Sequence, residues 1–162
     1  MARRVFFSFH FQRDIFRVNV VRKHGLIKDF EDTGYWDASL WEEARTKGDA
    51  AVKALIDKKF IGTSVTAVLI GQETHTRKFV KYEIEKSIAD KKVLFGIYIH
   101  DIPSIDGKTD PRGKNPFDDV KVSRGGVMVA ASQIYPSYHW AKDMGYDNFA
   151  GWAEAAAIAA GR

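Results

Sequence analysis

One carboxylate in this sequence stands out by its setting. At about 100° per residue, Val80, Ile84, Ser87 and Ile88 of a helix-patterned segment fall on one face, which should pack on a sheet. Glu85 then points away from that face, one turn beyond Lys81, and reads as a solvated ion-pairing residue. Glu83 sits at the margin of the apolar stripe, stacked over Phe79 four residues earlier. A carboxylate in that position is partly desolvated, which raises its pKa, a property of catalytic carboxylates. A boundary residue reaching out to water would occupy the same place in the pattern.

The five histidines (10, 24, 75, 100 and 139) include no pair four residues apart, so a helical zinc site is excluded, and no metal-ligand set is expected. His10, His75 and His100 each follow a predicted strand and should lie on one rim, with His10 fixed by a sharp strand end. Gly107-Lys108-Thr109 resembles the end of a phosphate-binding loop, but Ile102 stands where the pattern needs glycine, and Pro111 blocks the helix that should follow. G-x-G-x-x-G and G-x-S-x-G are both absent. Asp101, Asp106, Asp110, Asp118 and Asp119 lack the alternation of a calcium loop and read as a solvated loop.

These residues are carried by alternating elements. Val5 to Phe9 is a short run of β-branched and aromatic residues typical of a strand buried on both faces. Asp14 to His24 keeps helical spacing and stops at Gly25. A polar stretch from Lys28 to Gly34 precedes Tyr35 to Trp41, and a second helix is expected over Thr46 to Phe60. Thr63 to Gly71 is the second strand, Thr76 to Lys91 the third helix, and Val93 to Ile99 the third strand. Residues 100–119 read as a long loop, and residues 119–145 carry little pattern beyond a short strand around Val127 to Ala131. Asp147 should cap a last helix over Asn148 to Ala160. Apolar strands joined by crossovers of more than a dozen residues imply a parallel sheet covered on both faces, with ligands beyond the carboxyl ends of its strands.

The 162 residues suffice for one domain, here taken as 1–162. Apolar residues at 45% and charged residues at 28% exclude disordered and collagen-like classes. A net charge of +4, spread along the chain, suits anionic ligands without marking a nucleic-acid groove. No cysteine is present, which removes disulfides, thiolate nucleophiles and Cys-ligated metals and fits a reducing cytoplasm. No apolar stretch is long enough to cross a bilayer, and the run after Arg3-Arg4 breaks at His10 with no signal-cleavage pattern. A cytoplasmic protein that binds neither membrane nor nucleic acid is the expectation.

Several segments together carry a family resemblance. Arg4-Val5-Phe6-Phe7-Ser8-Phe9-His10, Asp37-Ala38-Ser39-Leu40-Trp41, Thr63-Ser64-Val65-Thr66 with Val68-Leu69-Ile70-Gly71, Phe79-Val80-Lys81-Tyr82-Glu83-Ile84 and Asn115-Pro116-Phe117-Asp118 resemble the TIR-like domains of the ThsB type from Thoeris antiphage defence. The resemblance spans about residues 3 to 118. It implies an α/β fold: one flavodoxin-like, TIR-like domain with a parallel sheet flanked by helices on both faces. It also implies an enzyme with NAD as substrate and no cofactor, cleaving the nicotinamide–ribose bond as a hydrolase or ADP-ribosyl cyclase. The product would be a cyclic ADP-ribose signal that activates a partner effector. A phage-derived trigger and a homo-oligomer belong to the same expectation.

The family's essential glutamate lies in an aromatic-x-x-x-Glu pattern, which here falls on Phe79 and Glu83. Phenylalanine replaces the usual tryptophan, keeping an apolar plane and losing the indole N–H. The resemblance further implies substrate-binding roles for Phe7, Ser8, His10, Asp37, Ser39, Trp41, Phe79 and Asn115. Strand alternation sets Phe7 and Phe9 on one face and Ser8 on the other, so Ser8 and His10 are better placed than the phenylalanines, which could equally be core. Trp41 could stack on a base or simply pack, and Arg13 and Arg17 could meet phosphates or form an exposed helix face. A non-catalytic TIR interaction module remains the alternative. A receiver-like module would need acidic residues where Ser8-Phe9-His10 stands.

Overall fold

In the computed structural model, which describes residues 3–25, 30–32 and 38–159, strands and helices alternate through the first two thirds of the chain. The strands are β1 (Arg3–Ser8), β2 (Phe30–Asp32), β3 (Val65–Ile70), β4 (Val93–Tyr98), β5 (Lys121–Arg124), β6 (Val127–Ala130) and β7 (Ser137–His139). The helices are α1 (Phe11–Gly25), α2 (Ala38–Lys47), α3 (Asp49–Phe60), α4 (Lys78–Ala89) and α5 (Gly145–Ala159). Five strands form one sheet in the order β2-β1-β3-β4-β7, and every pairing in it is parallel. β5 and β6 make a separate antiparallel hairpin.

The register places Ser8 opposite Val68 and Ile70 opposite Tyr98. β3 and β4 are buried at all six positions each, as continuous apolar runs require when helices cover both faces. On one face Phe7 and Phe95 pack against Phe149 of α5, with ring centroids 6.3 and 5.8 Å apart. On the other, Phe6 meets Phe60 of α3 at 4.3 Å, and Val80 and Ile84 of α4 pack with Val68, Ile70 and Leu94. The chain is therefore a doubly covered parallel α/β sheet.

Four expectations change in detail. The segment Thr46 to Phe60 is not one helix: Gly48, at φ 105°, breaks it, ending α2 at Lys47 and starting α3 at Asp49. α1 begins at Phe11, where the Asp14 N–H donates to the His10 carbonyl at 2.9 Å. α5 begins at Gly145, so Asp147 lies inside its first turn and does not cap it. The strand around Val127 is half of the β5–β6 hairpin, turned by Gly125 and Gly126 at φ 59° and 82°.

Candidate functional site

The cleft at the carboxyl end of β1 is assembled from the end of that strand and three helices. Phe9 and His10 follow β1, Phe11 and Gln12 open α1, and Trp41 and Arg45 reach over from α2. Arg77, immediately before α4, and Phe79, Val80 and Glu83 of its first half complete the wall. The space between them is about 470 Å³, counting its open mouth. Phe11 lies 5.9 Å from Trp41, and Trp41 meets Phe79 edge-on at 6.1 Å, so the walls are aromatic.

Glu83 sits deeper than the helical stripe indicated. It is 4% exposed, covered by the neighbouring aromatics as well as by its own helix. Ser8 Oγ donates to Glu83 Oε1 at 3.0 Å, while Oε2 is buried with no hydrogen-bond partner among the described residues. Burial pushes the Glu83 carboxyl well above the usual range, and the Ser8 hydrogen bond opposes that only in part. The backbone below is anchored: Ser87 Oγ donates to the Glu83 carbonyl at 2.7 Å and lies 2.8 Å from Thr66 Oγ1 of β3.

His10, half-buried at the cleft wall, is held below the usual histidine value first by burial and then by the Arg77 charge. Arg77 forms no ion pair among the described residues, so its guanidinium is available at the cleft mouth beside the positive end of the α4 dipole. Arg45 pairs with Glu42 at 3.3 Å on the surface of α2.

The structure thus brings together Ser8, His10, Trp41, Phe79 and Glu83. It does not bring Phe7, which is fully buried against Phe149 on the opposite face of the sheet, as strand alternation requires. Asn115 is also elsewhere: its Oδ1 accepts the Phe117 N–H at 2.9 Å, its Nδ2 donates to Ser137 Oγ at 3.2 Å, and it caps a short 3-10 turn. Asp37 lies outside the described residues, and Ser39 is described only by its backbone, within α2. Arg45 and Arg77 are cleft residues that sequence reasoning missed. Arg77 could have been found from its position immediately before the Phe79 helix.

Arg17 proves to be neither a phosphate ligand nor an exposed residue. It is 3% exposed, and its Nε donates to the Ile102 carbonyl at 2.7 Å and its Nη2 to the Lys108 carbonyl at 3.2 Å. Its Nη1 pairs with Asp14 at 3.2 Å and Asp110 at 2.9 Å. Arg13 joins the same network through Glu73 and Asp110. These arginines fasten the 100–110 loop over α1.

A parallel sheet in this order, with a buried glutamate in an aromatic cleft at the end of its first strand, defines a TIR-like α/β domain. Residues 6–104 match the family model described as Thoeris protein ThsB, TIR-like domain. The chain belongs to that family. It is similar to a protein of Bacillus cereus (strain MSX-D12) that bears the provisional name cyclic ADP-D-ribose synthase ThsB1, at 38% identity over 94% of this chain and 99% of that one.

Proposed function

We propose that this protein consumes NAD in antiphage defence, releasing nicotinamide and joining ADP-ribose to itself as a cyclic signal, with Glu83 as the catalytic residue. The observation that carries this reading is the buried Glu83 carboxyl group, one oxygen held by Ser8 and the other without a partner among the described residues, in an aromatic cleft. The provisional name of the Bacillus cereus relative supports the cyclic product. An adaptor surface has no need of a buried carboxylate.

The chemistry suits these parts. Nicotinamide leaves as a neutral molecule from a cationic nitrogen, so no strong general acid is required, and positive charge develops on the ribose. A carboxylate facing that charge, or accepting from the ribose hydroxyls, stabilises it electrostatically. The positive charge of the bound substrate opposes the effect of burial, which raises the carboxyl pKa, and so favours the ionised form when substrate arrives. Trp41 and Phe79 offer flat apolar faces for the nicotinamide and exclude water, which would otherwise divert the sugar to plain hydrolysis. His10 and Arg77 lie where the ribose and the diphosphate would extend toward the mouth. NAD is here a substrate, and a hydroxyl of its own closes the ring.

The partners follow from the same reading: a phage-derived trigger that starts turnover and an effector that responds to the product. The test is incubation of purified protein with NAD, with and without phage-infected lysate, followed by mass analysis. The expected product is one water lighter than ADP-ribose and accompanies nicotinamide release. Turnover by Glu83→Gln equal to that of the wild type under the same triggering lysate overturns the assignment.

A further inference from the structure

Two strands away from the cleft, the carboxyl ends of β4 and β7 hold three groups that the proposed reaction does not use. His100 and Asp101 follow β4, His139 ends β7, and one donor atom from each lies within 4.8 Å of the other two. His100 Nε2 stands 3.2 Å from Asp101 Oδ1. Two ligand atoms on a tetrahedral zinc ion, each bonded at about 2.0–2.1 Å, are separated by about 3.3 Å. The His100 and His139 ring centroids are 5.5 Å apart with planes at 76°. Two imidazoles bound to one such ion have centroids about 5 Å apart. Closing the widest donor separation to ligand spacing needs an inward movement of about 1.5 Å.

A second observation concerns His100 itself. It is 5% exposed, yet its Nδ1 has no hydrogen-bond partner among the described residues, so a buried imidazole is left half satisfied. Tyr98 stacks on His139 at 4.9 Å and fixes that ring in place. Arg112 and Lys142 lie near both histidines, Asp101 lies near both as well, and Asp143 lies near His139. Two nitrogens and one carboxylate are a poor set for calcium or magnesium, which prefer oxygen, and a good one for zinc and its transition-metal neighbours.

We propose that His100, Asp101 and His139 bind one borderline transition-metal ion, zinc above all, with a fourth position open to water. The ion ties β7, a strand of three residues, to β4 through side chains as well as backbone. Because the site is assembled only in the folded chain, binding stabilises the fold by mass action.

The test uses the full chain without added tag histidines, stripped with chelator and titrated with Zn²⁺ by calorimetry and with Co²⁺ by visible absorption. One ion per chain is expected, with a rise in Tm on Zn²⁺ addition. His139→Ala and Asp101→Asn should each weaken Zn²⁺ binding by at least about tenfold and abolish the Tm rise, whereas His75→Ala should change neither. Asp101→Asn preserves side-chain size and keeps the test decisive should His139→Ala fold poorly. Failure of one-to-one binding in the wild type, or binding unchanged in both variants that fold, overturns the proposal.

Discussion

Ser8 Oγ and Glu83 Oε1 are 3.0 Å apart although 75 positions separate the two residues in the chain. The contact joins the last residue of β1 to the middle of α4, and it decides which carboxylate oxygen remains for a substrate. A shift of either element would move the reacting group, so the rigid sheet and helix set the geometry of the cleft.

Glu83→Gln should retain the fold and abolish NAD turnover, whereas Glu85→Gln, at an exposed position on the same helix, should leave turnover nearly unchanged. The same variant has a stability signature. A carboxyl whose folded pKa is raised contributes favourably below its unfolded value, and that contribution is lost as pH rises through the folded value. The Tm of Glu83→Gln should therefore exceed that of the wild type by a margin that widens as pH rises above the ordinary glutamate value of 4.5. Thermal denaturation across the pH range measures it, and a constant margin would exclude a raised Glu83 pKa.

Ser8→Ala removes a hydrogen bond that favours the ionised form of Glu83. A hydrogen bond to a charged group contributes about 1.5–3 kcal/mol, so kcat/KM should fall about tenfold to a hundredfold. The acid limb of the pH–rate profile should also move to higher pH. A fall in rate with an unmoved limb would mean that Ser8 acts on substrate directly.

Arg77→Gln should raise KM for NAD about tenfold, through loss of a charge-assisted contact to the diphosphate, with little change in kcat. Nicotinamide riboside, which has no diphosphate, provides the control, and its cleavage should respond weakly to the same change. Equal effects on both substrates would remove Arg77 from diphosphate binding.

Arg17→Lys should destabilise the fold by about 3–5 kcal/mol, because lysine cannot reproduce the planar fork that serves Asp14, Asp110 and two loop carbonyls in a buried setting. Urea denaturation measures the loss. A change within about 0.5 kcal/mol, typical of an ordinary surface residue, would show that the network is dispensable.

The readable parts of this chain were those in which a periodic pattern matched a buried surface. Val65–Ile70 and Val93–Tyr98 are unbroken apolar runs, and they form the centre of the sheet. β2 (Phe30–Asp32) and β7 (Ser137–His139) went unseen, because three residues carry no period and Ser137-Tyr138-His139 has no continuous apolar character. Glu83 could be placed near the stripe of α4, but its depth depends on Trp41 of α2 and Phe9 after β1, contacts that local spacing does not contain. Arg17 was ambiguous for the same reason. Its partners at Ile102, Lys108 and Asp110 come from a loop more than 80 residues away. The pairing of His100 with His139 likewise exists only once β4 and β7 lie side by side.

The shortness of the two flanking strands bears on how copies of this protein can meet. Among the described residues, each border of the sheet offers only three positions of backbone for a neighbour to zip onto, too few for a lasting cross-chain ladder. Extension of this sheet from one copy to the next is thereby discouraged, which keeps the order of its strands intact within each subunit.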